Sequence, residues 1–209
     1  MVYPIAKLIF VPIIDIWIKE VNGINNIPMQ GPFVIAANHE SYMDHLIIVK
    51  TFVTHLNKKI HFLSKKEHFS NPIKSIWHEW AGAIPLDREV KGAEALKWAI
   101  KALKSKKIIG IHPEGTRTLT GKLQRGKTGV ARLALATKVP VVPVGLIGTF
   151  EILPKGKYMP KLRKATMNIG KPMYFDKYYN RRITKKMLRE ITTSIMKEIA
   201  KLCKQEYNF

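Results

Sequence analysis

Residues 32–45, PFVIAANHESYMDH, join an apolar run to a polar segment. The apolar run predicts a short buried strand, and Ser41 and Asp44 have the spacing of a capping box that begins a helix near Tyr42. Five residues of one regular helix turn through about 500°, so His39 and Asp44 could not meet on a single helix. They can meet if His39 lies in the loop and Asp44 faces back from the first helical turn.

A carboxylate on one imidazole nitrogen would fix the tautomer of His39 and stabilise its protonated form, leaving the other nitrogen to accept a proton. The stretch therefore indicates a general base. Two plainer interpretations stay open at this point, namely that Asp44 only caps the helix and that His39 is an ordinary loop histidine. A metal site of His39, Asp44 and His45 is a weaker alternative, because no second cluster of ligand-type residues follows in the sequence.

Strand-like and helix-like segments alternate along the rest of the chain. Strands are predicted at 59–66, 83–88, 107–112 and 139–148, and helices at 72–82, 92–107, 130–137 and 184–204. The alternation predicts an α/β fold with a mostly parallel or mixed sheet flanked by helices, whose sites lie beyond the carboxyl ends of the strands. The prolines of 139–148 suggest an edge strand or a bulge, and residues 163–175 suggest a pair of strands around Gly170.

Composition limits the class of protein and its partners. A chain of 209 residues that is 46% hydrophobic suits one domain with a substantial core. The single cysteine excludes an internal disulfide framework and suits a reducing compartment. A formal net charge of +21 favours an anionic partner, which could be nucleic acid, lipid headgroups or an acidic protein.

The N-terminal stretch MVYPIAKLIFVPIIDIWI is apolar except at Lys7 and Asp15. Pro12 and the two ionisable groups disfavour a full membrane span, and the stretch lacks the basic region and cleavage site of a signal peptide. We expect residues 1–20 to form a helix that lies in the membrane interface, and residues 21–209 to form the main domain. A full span and a buried core helix are the alternatives.

Two further strand ends offer charged side chains. IHPEGTR, residues 111–117, presents Glu114 and Arg117, and PLDR ends in Arg88. A planar guanidinium can grip a phosphate with two hydrogen bonds. Glu114 could instead pair with Arg117 or Arg88 as a structural bridge, but two arginines beside a His/Asp pair favour an anion-binding pocket.

Residues 121–128, GKLQRGKT, fit the phosphate-binding loop of nucleotide hydrolases, G-x-x-x-x-G-K-[ST]. That motif should leave a strand directly, whereas here the strand ends at His112 and polar residues intervene. No later apolar run ends in an aspartate suited to magnesium. We expect instead that Lys122, Arg125 and Lys127 line a loop that meets an anionic substrate.

In this order the stretches resemble the glycerolipid acyltransferases typified by 1-acylglycerol-3-phosphate acyltransferase. The blocks that carry the resemblance are NHESYMD at 38–44, Gly82 to Arg88, PEGTR at 113–117, and VPVVPVGLIGT at 139–149. The third block departs from the family pattern at His112, where phenylalanine is usual and the position is one of packing. The resemblance runs from about Gly23 to Thr149.

The resemblance implies the glycerolipid acyltransferase fold and a role for each matched residue. His39 would be the general base that takes a proton from a glycerol hydroxyl, and Asp44 would orient it. The hydroxyl oxygen would attack an acyl thioester directly, without an acyl-enzyme. The residues that would bind the glycerol phosphate are Glu114, Gly115, Thr116, Arg117 and Arg88.

The implied reaction forms phosphatidic acid from 1-acylglycerol 3-phosphate, with glycerol 3-phosphate or another lysophospholipid as alternative acceptors. The donor would be acyl-CoA or acyl carrier protein, and no metal or bound cofactor is expected. We expect the protein on the cytoplasmic face of an anionic membrane. A basic nucleic-acid-binding protein and an NTPase are the alternatives from other classes of protein. Nucleic-acid binding would leave the apolar N-terminus unexplained, so no nucleic-acid partner is expected.

Overall fold

The computed structural model describes residues 4–65, 83–86 and 92–209. The strands are β1 Ile18–Asn22, β2 Val34–Ala37, β3 Ile60–Lys65, β4 Ile84–Leu86, β5 Ile108–Ile111, β6 Val141–Ile147 and β7 Ala165–Ile169. The α-helices are α1 Pro4–Asp15, α2 Met43–Leu56, α3 Gly92–Lys104, α4 Gly129–Thr137, α5 Thr149–Ile152 and α6 Lys185–Cys203. Arg88 and the helix predicted for 72–82 lie outside the described residues.

The strands form one seven-stranded sheet in the order β1-β7-β6-β2-β5-β3-β4. All neighbouring pairs are parallel except β6 and β7, which are antiparallel. Helices cover both faces. The α/β fold with a mostly parallel, mixed sheet flanked by helices is therefore confirmed.

Strand β2 explains why both faces of the sheet are covered. Alternate residues of a strand point to opposite faces, and all four residues of β2 are buried. Val34 and Ala36 join a first core with α3, α4 and α6, whereas Ile35 and Ala37 join a second core with α2 and α5. A continuous apolar run is what a strand buried on both faces requires.

The last helix packs directly onto the centre of the sheet. Thr184 caps α6 by accepting a hydrogen bond from the Met187 N–H, and Leu188, Ile191 and Ile195 are buried on its inner face, which agrees with the predicted helix. A Cβ on Gly145 of β6 would lie 2.4 Å from the backbone of Leu202. Only glycine allows the helix to come so near.

Strand β6 lies inside the sheet between β2 and β7, so the prediction of an edge strand is wrong. Pro143 has no N–H to donate, but the ladder with β7 starts only at Val144. The Pro143 carbonyl accepts the Gly170 N–H at 2.9 Å, and the next pairing on that side is the Val141–Met173 bridge. Pro143, which has no N–H, thus lies beside a gap in the hydrogen bonding to the neighbouring chain.

The predicted pair of strands within residues 163–175 is also wrong. Only β7 forms there, and both of its edges are occupied, by β1 and by β6. The chain after Gly170 therefore finds no free edge on β7. Met173 makes only an isolated bridge to Val141.

The N-terminal helix is shorter than its apolar stretch. α1 ends at Asp15, whose carboxylate pairs with Lys50 of α2. The sheet begins at Ile18, so β1 lies on both sides of the expected boundary at residues 20 and 21. Trp17 and Ile18 pack on the second core. No helix in the described part of the chain is long and apolar enough to cross a membrane.

Candidate active site

The candidate site lies where two adjacent parallel strands end. β2 ends at Ala37 and β5 ends at Ile111, and the two strands are hydrogen-bonded neighbours. His39 and Glu114 follow these ends within a few residues. The edge of the sheet therefore brings together two blocks that are far apart in sequence, as expected for open α/β sheets.

His39 and Asp44 meet across the start of α2. His39 Nδ1 lies 2.9 Å from Asp44 Oδ2, and the two side chains are 12% and 0% exposed. A carboxylate oxygen only accepts, so Nδ1 carries the proton and Nε2 keeps its lone pair. His39 therefore has the tautomer that a general base acting through Nε2 requires.

The same carboxylate oxygen fixes the turn before α2. Asp44 Oδ2 accepts the N–H groups of Glu40 and Ser41, each at 2.8 Å. The Ser41 hydroxyl accepts the Met43 N–H at 3.1 Å and donates to the Leu153 carbonyl at 2.7 Å. Asp44 thus both caps the helix and holds the imidazole, so the two interpretations of this residue are compatible.

Glu114 points into the protein and supports the backbone at His39. Its Oε1 accepts the His39 N–H at 2.7 Å, and its Oε2 accepts the backbone N–H and the side-chain amide of Gln124, at 2.9 and 3.2 Å. Burial raises the pKa of Glu114 to about 7, against the lowering effect of these donors. Glu114 makes no ion pair with Arg117, so this carboxyl positions the loop rather than offering itself to a phosphate.

Three polar residues of the site are given no role by the sequence, although Asn38 and Glu40 lie within the NHESYMD block. Asn38 bonds both the N–H and the carbonyl of Leu146 on β6, at 2.8 and 2.9 Å, and its amide also donates to Glu40. Gln205, beyond α6, donates to Glu40 and accepts the Leu123 N–H. Burial, followed by the charge of Asp44, raises the pKa of Glu40 to about 8. These residues join the C-terminus to the loop of His39.

His112 stacks on His39. The ring centroids are 3.8 Å apart and the planes differ by 9°. His112 Nδ1 lies within 3.1 Å of the carbonyls of Ala37 and Asn38, so it donates and Nε2 is unprotonated. Burial, then the charge of His39, lowers the pKa of His112 to about 3. The position packs as expected, and a neutral ring covers one face of the general base.

His45 completes a cluster of three imidazoles with His39 and His112. One ring nitrogen from each histidine lies within 4.8 Å of those of the other two. Burial, then the charges of His112 and His39, lowers the pKa of His45 well below its usual value. A zinc site needs lone pairs that converge on one point about 2.0–2.1 Å away. The rings of His39 and His112 lie in nearly parallel planes 3.8 Å apart, so their in-plane lone pairs do not converge on one point, and this arrangement suits packing better than metal binding.

The turn after β5 brings a cation to the site. Gly115 has a φ of +75°, and a Cβ there would lie 2.8 Å from Lys127 Nζ. The Lys127 N–H also donates to the Pro113 carbonyl at 2.7 Å. Lys127 and Arg125 are exposed and make no side-chain hydrogen bond or ion pair to other described residues. Thr116 offers its carbonyl to Gln124 and is itself exposed.

Arg117 lies over the ring of Tyr42, 3.5 Å from its centroid. This cation–π contact holds the guanidinium beside the segment that carries the dyad. The next residue, Thr118, donates its N–H to the His39 carbonyl at 2.9 Å. Arg117 and Lys127 thus bring positive charge to the segments beside the dyad, which suits an anionic group on a substrate whose hydroxyl reaches His39.

Comparisons with known proteins point to one family. The acyltransferase family model matches residues 19–147. The chain is 35% identical to the 1-acyl-sn-glycerol-3-phosphate acyltransferase of Bacillus subtilis, over 71% of this chain and 70% of that protein. It is 31% identical to the enzyme of the same name from Streptococcus pneumoniae, over 71% of this chain and 53% of that protein.

A solved structure shares the fold. The crystal structure of the 1-acyl-sn-glycerophosphate acyltransferase from Thermotoga maritima matches with a TM-score of 0.72 and 27% identity. The match covers 97% of this chain and 80% of that one. With a family model across more than half of its length and a relative above 30% identity, the chain belongs to the acyltransferase family.

Proposed function

We propose that this acyltransferase moves a fatty acyl group from a thioester to the free hydroxyl of 1-acylglycerol 3-phosphate, forming phosphatidic acid. The observation that carries the proposal is the 2.9 Å contact between His39 Nδ1 and Asp44 Oδ2. The names of the relatives supply the acceptor. Glycerol 3-phosphate and other lysophospholipids are the alternative acceptors, since they also place a hydroxyl beside a phosphate.

The proton is handled by His39. Nε2 takes it from the acceptor hydroxyl as the oxygen attacks the thioester carbonyl carbon. Asp44 stabilises the imidazolium that forms, and the neutral rings of His45 and His112 add no opposing charge. General-base catalysis of this kind typically contributes about 10²–10⁴-fold. Neither a metal nor a bound cofactor takes part in the proposed step.

The products follow from bond balance. The new ester C–O bond forms, the thioester C–S bond breaks, and the proton held by His39 leaves with the thiolate. Acyl-CoA and acyl carrier protein are equivalent donors in this chemistry, because both present the acyl group on the same type of thiol. No covalent acyl-enzyme is needed, since the acceptor oxygen attacks the donor directly.

The acceptor phosphate is proposed to bind Arg117 and Lys127, with Arg125, Gly115 and Thr116 at the rim. Arg88, which lies outside the described residues, is proposed to join them. Charge-assisted hydrogen bonds to phosphate contribute about 1.5–3 kcal/mol each. We also propose that the protein acts at the cytoplasmic face of an anionic membrane, because both substrates carry acyl chains and the chain has a net charge of +21.

The test is an assay of purified wild type and His39→Ala across a matrix of acceptors and donors. The three acceptors are 1-acylglycerol 3-phosphate, glycerol 3-phosphate and an uncharged monoacylglycerol, each with acyl-CoA and acyl carrier protein. We expect the highest kcat/KM with 1-acylglycerol 3-phosphate, and a fall in turnover of at least about 100-fold in His39→Ala. Near-normal turnover in that variant would overturn the mechanism. A higher kcat/KM with another acceptor would mean that this acceptor, and not 1-acylglycerol 3-phosphate, is the substrate.

A further inference from the structure

Residues 155–164, KGKYMPKLRK, form an exposed segment between α5 and β7, here called the basic loop. It contains five lysine or arginine residues and no acidic residue. Tyr158, Met159 and Leu162 are 91%, 81% and 83% exposed. Large apolar side chains interleaved with cations are typical of a surface that contacts anionic lipid.

The backbone of the basic loop is held at both ends. The Lys157 N–H donates to the Pro154 carbonyl at 3.1 Å, and the Lys161 N–H donates to the Ile152 carbonyl at 2.9 Å. The Trp17 indole donates to the Lys161 carbonyl at 3.0 Å. The apolar side chains therefore project from a hydrogen-bonded turn, which lowers the entropy cost of presenting them to a partner.

One end of the basic loop adjoins the candidate active site. Pro154 forms a bridge with Ser41, and the Tyr42 N–H donates to the Leu153 carbonyl at 3.2 Å. Tyr42, which directly precedes α2, and Leu46 on the first turn of α2 are also exposed. A surface that covers the basic loop would therefore lie beside the dyad.

The other end adjoins the N-terminal helix through Trp17. Leu8, Ile13 and Ile16 of this region are exposed apolar residues. Exposed apolar groups thus lie near both ends of the basic loop. The cations supply charge complementarity to lipid phosphates, each being worth about fivefold in binding near an anionic surface.

We propose that the basic loop is a membrane-docking element, which inserts Tyr158, Met159 and Leu162 into the headgroup region of an anionic bilayer beside α1. The proposal rests on the proposed function, because it sets the acceptor-binding site at the surface that contains the acceptor lipid. It adds a second contact to the N-terminal helix. Two separated contacts orient the protein, whereas one helix alone allows rotation about it.

A fluorescent probe on the full-length chain tests the insertion directly. Cys203 is the single cysteine and is buried, and burial raises the pKa of its thiol to about 12, so reagents label an introduced cysteine selectively. Tyr158→Cys and the control Tyr174→Cys carry an environment-sensitive fluorophore. Tyr174 is 61% exposed and precedes Phe175 of the first core, on the other side of the sheet from α2.

We expect a blue shift at position 158 with vesicles of phosphatidylglycerol and phosphatidylcholine, a weak shift with phosphatidylcholine alone, and none at position 174. An unchanged spectrum at position 158, or equal shifts at both positions, overturns the proposal.

Vesicle sedimentation with unlabelled protein provides a second measure. The variant Tyr158→Ser, Met159→Ser, Leu162→Ser should lower the partition coefficient by about tenfold or more, because apolar burial is lost. The matched control is Trp98→Ser, Tyr174→Ser, Ile183→Ser, which removes three exposed apolar groups elsewhere and should bind as wild type does. Equal losses in both variants would mean unspecific adhesion and would overturn the proposal.

An acidic protein such as acyl carrier protein is the competing occupant. Its binding would fall in Lys155→Gln, Lys157→Gln, Arg163→Gln and would be indifferent to the apolar substitutions. If vesicle binding fell in that charge variant and was unchanged by the apolar substitutions, the loop would contact lipid by charge alone and insertion would be wrong.

Turnover on a short-chain, water-soluble acceptor separates this proposal from the proposed function. All the loop variants should keep wild-type turnover there. If the wild type were inactive on this acceptor, the proposed reaction would be wrong. The vesicle measurements would still test membrane docking by the loop.

Discussion

The loop that carries His39 and the loop that carries Arg125 and Lys127 meet at one edge of the sheet, but they hold their side chains in opposite ways. Around His39, hydrogen bonds within the protein hold the side chains: Asp44 and Glu114 accept from His39, and Asn38 donates to the Leu146 carbonyl. In the other loop, the backbone is held and the cations reach into solvent. The proton-transfer geometry is therefore preorganised, whereas the proposed phosphate contacts form on binding.

This contrast predicts that substitutions in the first loop change turnover and stability, and that substitutions in the second change mainly substrate binding.

Asp44→Asn should have the largest effect. The amide oxygen can still accept the bonds from His39, Glu40 and Ser41, but the charge that stabilises the imidazolium is lost. The amide nitrogen takes the place of Asp44 Oδ1, which is buried with no hydrogen-bond partner among the described residues. We expect kcat to fall about 10²–10⁴-fold and the free energy of unfolding to fall by about 1–3 kcal/mol. Steady-state kinetics and urea denaturation measure the two effects. A variant of normal stability and turnover would contradict the role of Asp44.

Lys127→Ala should act mainly on binding. Loss of one charge-assisted contact of about 1.5–3 kcal/mol raises KM for a phosphate-bearing acceptor roughly ten- to hundredfold and changes kcat little. Lys107→Ala is the matched control, since Lys107 is exposed just before the start of β5, at the opposite edge of the sheet. With an uncharged monoacylglycerol acceptor, Lys127→Ala should match wild type. An equal loss with both acceptors would mean that Lys127 supports the fold of the loop.

His112→Phe should show the smallest effect at neutral pH and should change acid stability. The pKa of His112 is about 3 in the folded protein, against about 6.5 when unfolded. Because the folded pKa is the lower one, the contribution to stability is present above pH 6.5 and is lost as the pH falls toward 3. As the pH falls from 7 to 5, protonation of this residue in the unfolded state should lower the free energy of unfolding of the wild type by about 2 kcal/mol. Phenylalanine does not titrate, so the variant should lack that loss. Urea denaturation at the two pH values compares them, and identical pH dependence would show that His112 is not held neutral by the fold.

The features that the sequence predicts depend on residues close together in the chain or on a periodic pattern of apolar residues. His39 and Asp44 lie five residues apart across a capping signal, so their meeting depends on one turn of chain. The fold class depends on continuous apolar runs, such as those of β2, β5 and β6. Alternation of strands and helices then implies a parallel sheet.

The remaining features depend on contacts between distant residues. The interior position of β6 depends on which strands pair with its two edges. A proline-containing strand has the same sequence pattern inside a sheet as at its edge. The inward direction of Glu114 depends on Gln124 and the His39 backbone. Gln205 bonds to Glu40 across 165 positions, and a glutamine after a helix carries no pattern that indicates such a contact. The stacking of His112 on His39 likewise requires the β2–β5 register.

The central claim is that Asp44 acts through His39, and the most direct test is the kcat of His39→Ala, Asp44→Asn compared with His39→Ala alone. Groups that act as one unit are non-additive in turnover. We predict that the double variant turns over within about threefold of His39→Ala, because Asp44 has no imidazole left to orient. A further fall as large as Asp44→Asn causes by itself would contradict the dyad.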